Sequence, residues 1–499
     1  MKKLTILALM AMMGMTAFAK TYYAGPNATG NGLTAATPGD FTKLVSTLKP
    51  GDMLYLNGGQ YDFTSEVAIS VSGTETGRIT IQAANGQQPI FDFRKEEYGK
   101  RGVTIASNVK NLHVKGLTVR YAGAEGLYSE GSYCVFENMD VYGNCGSGFA
   151  IRGEQGHNLI LNCDSHENFD YKFGGTTSAH YGEHADGFNE ESVSAPGNYY
   201  RFCRAWKNSN DGWNFSKRTT TEGGNVLEGC IAFRNGPRVY DMRNHMRYET
   251  DKAWFDQFKG KGTTVTISGG NTEPVSLEFY SSFGTSNGVS LGNGENANNI
   301  LVTRCLMAAN SNKALNQLTN SGTMFIYNNT LCQNGYNLGI NDKYNGIAYI
   351  SNNVTFAGVS KDQIQCKQTT LRNNSWEISG VICDEEDFLS TDTAYVIVPR
   401  KADGTLAQSD FMRFRPESDV LDQGIKEVGV TYYGAAPDLG CFEVENGQMQ
   451  EAVADTLVAS VIGNVLEVRN ALVPKVQAAK KPAPRGKGVP VRRPVARKK

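Results

Sequence analysis

From about Asn108 to Ala357 the chain repeats one alternation of apolar and polar positions: an apolar pair, a Cys or Asn, another apolar residue, Asn shortly after, then Gly and an apolar-x-apolar strand. It reads as YCVFENMDVYGNCGSGFAI, NLILNCDSHEN, YYRFCRAWKNSNDGWNF and NVLEGCIAFRN, and resumes as ILVTRCLMAANSNKALNQL, MFIYNNTLCQNGYNLGI and AYISNNVTFAG. A period in the twenties of residues marks a solenoid. Short β-branched and aromatic runs, with little amphipathic helical spacing, predict strands rather than helical or leucine-rich repeats. Gly and Asn take the tight corners, where positive φ is tolerated. Two or three strands per turn, stacked, predict an all-β, right-handed parallel β-helix. Such a stack needs caps. FTKLVSTL, Phe41 to Leu48, reads as an N-terminal capping helix stopped by Pro50-Gly51.

Two segments break the pattern. Pro237 to Pro274 is an insertion rich in Arg, Tyr, Trp and His, and insertions in solenoids form loops on one face, often the binding face. After Asp438-Leu439-Gly440-Cys441-Phe442-Glu443 the repeat ends. The expected organisation is a leader over 1–19, a β-helix domain over 20–445, an extension over 446–479, and a basic, Pro-rich, disordered tail over 480–499.

The leader expectation rests on Lys2 and Lys3, an apolar run too short to span a bilayer, and Ala17-Phe18-Ala19 as a cleavage site. Export follows, to an extracellular, periplasmic or cell-surface location, with no transmembrane segment. The 499 residues carry a formal net charge of −1, which excludes a general attraction to nucleic acid. Ten cysteines in an exported chain raise the question of disulfides. Cys163, Cys203, Cys230 and Cys305, however, recur at one place in the repeat, which predicts a column of buried free thiols.

Candidate chemistry concentrates between His184 and Asn235. Asp186 lies on one turn and Asn210, Asp211 and Asn214 on the next, so stacking brings four oxygen-bearing side chains together, the kind of donor set calcium takes. The alternative is local: Asp and Asn at solenoid corners also bond to their own backbone.

TYYAGPNATGNG, PGDMLYLNGGQYDF, HADGF, RAWKNSNDGWNF and the terminal PDLGCFE together resemble family 9 of the polysaccharide lyases, the pectate-lyase-like right-handed β-helices. The resemblance runs from Thr21 to about Glu443. It implies cleavage of acidic pectic polysaccharides by β-elimination, with calcium held mainly by aspartates and a lysine as base. Asp186 matches the ADGF aspartate, whereas the family's S-D-D-G-W-D motif is Ser209-Asn210-Asp211-Gly212-Trp213-Asn214, so two aspartates are Asn. A calcium site here loses two charges and is expected to be weaker.

The family's N-G-F-K-L-G-G segment matches Asn287-Gly288-Val289-Ser290-Leu291-Gly292-Asn293, which places Ser290 where the lysine stands. An isolated serine hydroxyl is too weak to take a C5 proton. Replacement bases in view are Lys313 on the following turn, the Lys217–Arg218 pair, and Tyr240, Arg243, His245, Arg247 and Tyr248 in the insertion. Lys217, Arg218, Arg243 and Asn316 are the candidates for binding substrate.

Three functions are therefore weighed. The first is a monomeric lyase-like enzyme acting on an acidic polysaccharide with a non-standard base. The second is a glycan-binding β-helix without chemistry. The third is a glycoside hydrolase drawing its two carboxylates from Asp186, Glu190, Glu191 and Asp211.

Overall fold

The structure is a computed structural model; it describes residues 19–445, apart from 261–262, 294–296, 342–344 and 428–429, together with residues 448–449. The expected leader, most of the extension and the basic tail lie outside the described residues.

Three long sheets, one of twelve strands and two of ten, run the length of the coil, and each is parallel throughout. The chain visits the sheets in turn, which makes the expected right-handed parallel β-helix. Equivalent asparagines measure the coil. Asn144 Nδ2 donates to Asn168 Oδ1, and the ladder continues through Asn208, Asn235 and Asn310 to Asn334, each step between 2.8 and 3.0 Å. A step takes 24 residues where the turn is plain, 40 between Asn168 and Asn208, and 75 between Asn235 and Asn310. The ladder gives a buried side-chain amide a partner on the coils above and below it, so burial leaves it hydrogen-bonded.

Period-2 alternation sorts each strand. In the sheet that carries the candidate site, Phe149, Phe188 and Trp213 stack inside the coil with centroids 5.0 and 4.8 Å apart. Cys134, Cys163, Cys203, Cys230 and Cys305 are all buried and free. The thiols of Cys163, Cys203, Cys230 and Cys305 each approach a carbonyl of the preceding coil at 3.2–3.6 Å. The column expected for those four is present.

The corners follow the expected chemistry only in part. Asn138, Asn162, Asn328 and Asn352 take positive φ, but so do Phe202 and Arg304 at the equivalent corner, where packing against neighbouring coils outweighs the intrinsic preference. The capping helix is shorter than expected, Phe41–Val45, with Asp40 accepting from the Lys43 N–H at its N-terminus. Phe41 packs against Phe91 over the first coil, and Leu48 is buried beyond the helix.

The insertion is longer than Pro237 to Pro274. Val239–Tyr240 pairs antiparallel with Tyr280–Ser281, so the excursion closes beyond Pro274. A shorter excursion in the 40-residue step packs against it: Phe169, Tyr171 and Tyr181 join Met242, Phe255, Phe258 and Tyr280 in a separate aromatic core. This annex sits beside the coil. The segment before Glu443 folds back along a flank, burying Phe388, Phe411 and Phe414 with Leu306 and Val354.

Candidate active site

Residues before and within successive strands of one ten-stranded sheet converge on a groove. The pairs Phe188–Trp213, Trp213–Val289 and Val289–Leu315 are in register, so Asn189, Asn214, Ser290 and Asn316 form one column of the alternate, outward set. Each of the strands at Phe188, Trp213 and Val289 is preceded by a glycine. A Cβ on Gly187, Gly212 or Gly288 would stand 2.5–2.7 Å from the carbonyl oxygen of the next coil. The glycines of HADGF and NDGWN are therefore demanded by close stacking, and they carry the acidic and amide residues beside them into line.

The groove is a recess of about 320 Å³ lined by His184, Asn210, Asp211, Asn214, Lys217, Ser290, Lys313 and Asn316, among others. A second recess, between the flanking segment and the coil at Phe202, Leu306 and Phe442, lies away from these groups.

Asp186 lies beneath the groove floor, fully buried. Its Oδ1 accepts from Asn210 Nδ2 at 3.0 Å and the Asp211 backbone N–H at 2.9 Å; its Oδ2 accepts from Asn189 Nδ2 at 2.6 Å and Asn214 Nδ2 at 3.2 Å. Burial pushes its pKa up to about 7, opposed by these hydrogen bonds. Asp211 is also raised, first by burial and then by the Asp186 charge. Its Oδ1 accepts from the Asn287 backbone N–H at 2.6 Å and Asn287 Nδ2 at 2.9 Å.

The four residues expected to hold calcium thus come together, but not as an oxygen cage. The amides of Asn210 and Asn214 face Asp186 with their N–H groups, and among the described residues no group of three or more His, Cys, Asp or Glu is arranged to hold a metal. This donor set does not fit calcium, which takes six to eight oxygens.

Ser290 is buried in the floor, its Oγ 3.4 Å from Ser216 Oγ, and among the described residues it has no charged hydrogen-bond partner to activate it. Lys313, on the next coil, reaches the same recess. Its Nζ donates to Asn316 Oδ1 at 2.8 Å, and partial burial lowers its pKa from the ordinary lysine value. Lys217 also lines the groove, more than half exposed and paired with Glu191 at 3.1 Å.

Three expected site residues are placed elsewhere. Arg218 is fully buried, paired with Glu190 at 2.5 Å and donating to the carbonyls of Ala195, Pro196 and Thr219, so its guanidinium is consumed in holding the loop. Arg243 is on the annex surface, held by Asp241 and Glu278. His245 packs within the annex on Tyr171, where burial and then the Arg247 charge lower its pKa to about 4. Arg247, another insertion candidate, is buried on Asp251 and the carbonyls of Phe93, Tyr121 and Glu96.

Two residues that sequence reasoning passed over also belong to the site, Asn189 buried in the column with Asn214 and His184 in the lining of the recess. Asn189 follows Gly-Phe as Asn214 follows Gly-Trp, a correspondence visible once HADGFN is set against NDGWN. His184 lines the recess beside Phe173, and its hydrogen bond to Asp170 raises its pKa.

These features define a right-handed parallel β-helix with a polar, partly basic groove across one sheet. The chain belongs to the family described as "Pel9A-like, right handed beta helix region", whose model matches residues 22–353. It is 29% identical to pectate lyase L of Dickeya chrysanthemi over 85% of this chain and 90% of that protein. To pectate lyase L of Paenibacillus polymyxa it is 26% identical, over 76% and 78%. The crystal structure of pectate lyase Pel9A superposes with a TM-score of 0.69 at 27% identity, over 86% of this chain and 96% of that one. A rhamnogalacturonan lyase structure shares the fold, with a TM-score of 0.61 at 21% identity over 80% and 97%.

Proposed function

We propose that the chain is an exported polysaccharide lyase that cleaves a uronate-containing, pectic polysaccharide by β-elimination, with Lys313 as the base. The observation that carries this reading is the position of Lys313: it shares the groove with Asp211 and Ser290, one coil beyond the serine, with an amine whose pKa burial lowers. The pectate lyases among its relatives support the reaction class.

Neutral Lys313 takes the C5 proton beside the uronate carboxyl group. The electron pair of that C–H bond becomes the C4–C5 double bond as the C4–O bond breaks, and the departing oxygen takes a proton from water in the open groove. A base positioned in this way supplies a rate factor of about 10² to 10⁴. Lys217 and the His184 imidazole, which Asp170 favours in its charged form, are the groups available to receive the substrate's carboxylates.

The hydrolase reading is less well supported. Asp186 has both carboxylate oxygens covered by amide and backbone donors, and Glu190 is committed to Arg218 and Tyr200, so neither offers a free carboxyl group to a glycosidic bond. Loss of chemistry with retained glycan binding is the alternative that Ser290 favours.

Incubation with a panel of uronate-containing polysaccharides tests the reading. Elimination raises ultraviolet absorbance through the unsaturated product. New reducing ends without that absorbance indicate hydrolysis, and binding without either indicates a lectin-like role. The proposal retains the leader at 1–19, the β-helix domain at 20–445, the extension, the basic tail and a monomeric state. No helix among the described residues is long and apolar enough to cross a membrane.

A further inference from the structure

Three amides surround Asp186, and in each the carbonyl oxygen is fixed by a backbone donor on the side away from the carboxylate. Asn189 Oδ1 accepts from the Glu191 N–H at 2.9 Å and from Arg152. Asn210 Oδ1 accepts from the Thr285 N–H at 2.8 Å and its hydroxyl at 3.1 Å. Asn214 Oδ1 accepts from the Ser216 N–H at 2.9 Å. Turning any of the three would set an NH2 group against a backbone N–H and a carbonyl oxygen against a carboxylate. The network, which is what assigns amide orientation, permits one arrangement. The N–H groups point at Asp186.

A divalent cation beside Asp186 would meet hydrogens rather than oxygen lone pairs. The buried carboxylate already accepts four hydrogen bonds, three from side-chain amides and one from the Asp211 backbone. Such donors favour the charged form of a carboxylate, the task a metal performs in an oxygen cage.

We propose that Asn189, Asn210 and Asn214 stand in for a divalent cation against Asp186, and that this groove works without bound calcium. Asp186 then serves as a positioning residue: its grip on the Asp211 N–H sets the turn that presents Asp211 to the groove. Replacing Asn210 and Asn214 by Asp exchanges each NH2 for an oxygen of nearly the same size. That change alone converts the cradle into a set of four carboxylates.

Isothermal titration with calcium chloride, paired with melting curves in calcium and in chelator, tests this. The readout is ion binding and does not depend on whether Lys313 is the base. The wild type is expected to show no calcium heat and no melting shift at millimolar calcium, whereas Asn210→Asp with Asn214→Asp gains stoichiometric binding at least 10-fold tighter and a calcium-dependent rise in Tm. Asn210→Asp alone serves if the double variant does not fold, with a smaller gain. Stoichiometric submillimolar binding to the wild type, lost in Asp186→Asn, overturns the proposal. A folded double variant that is as blind to calcium as the wild type also overturns it, since the amides would then not be what excludes the ion.

Discussion

The side chain of Lys313 lies across Gly339, where a Cβ would stand 2.2 Å from Lys313 Cδ and 2.7 Å from Cε. Gly339 is the register partner of Asn316, which holds Lys313 Nζ at 2.8 Å. One coil thus supplies the amine and its hydrogen-bond partner, and the next supplies the empty space over which its stem runs.

Gly339→Ala is expected to displace that stem while leaving the coil intact, because Gly339 has no positive φ that a side chain would strain. If Lys313 is the base, kcat falls by roughly 10- to 100-fold with little change in KM, since a misplaced group costs the reaction more than it costs binding. Steady-state kinetics beside a melting curve checks this; an unchanged kcat would remove Lys313 from the chemistry.

Lys313→Ala should lower elimination by about 10² to 10⁴, and Ser290→Ala should change it little. The amine acts in its neutral form, so the rate rises as pH goes up through its pKa. Burial lowers that pKa, which moves the rise below the ordinary lysine range. A pH–rate profile with a basic limb at the ordinary lysine value, or a large loss in Ser290→Ala alone, contradicts the assignment.

Glu190→Gln is expected to destabilise the coil by about 3 to 5 kcal/mol, because it leaves the Arg218 guanidinium fully buried without its anion. Replacing both partners by apolar residues should recover only part of this, since Tyr200 and three backbone carbonyls lose their partners as well. Denaturant unfolding measures both; a loss within experimental error in Glu190→Gln would make the pair incidental.

In the annex the neutral form of His245 is the one that fits, its Nδ1 accepting from the Arg247 N–H. Its pKa is depressed from 6.5 to about 4, so between those values the unfolded annex binds more protons than the folded one. The stability from this group is present above about pH 6.5 and is lost as pH falls toward 4. Amide exchange in the annex should therefore quicken over that interval, and His245→Phe should flatten the dependence.

The repeat of apolar pairs, Cys or Asn, and Gly determined the fold by itself. A solenoid stacks equivalent residues, so periodicity along the chain becomes columns in space, and the thiols of Cys163, Cys203, Cys230 and Cys305 could be placed from their recurrence alone. For the same reason Asp186, Asn210, Asp211 and Asn214 could be brought together from two similar motifs. Other properties depended on direction and depth, which periodicity does not carry. Asn210 offers N–H rather than oxygen because Thr285, brought back by the long excursion, occupies the other side of its amide. Arg218 and Lys217 are adjacent in sequence, yet one closes on buried Glu190 and the other opens to solvent, because Lys217 takes the positive-φ position of the turn between the strands at Asn214 and Thr219 while Arg218 leads back into the coil. His245 belongs to a second core built from two distant segments, and only their packing decided that its imidazole would serve the annex instead of the groove.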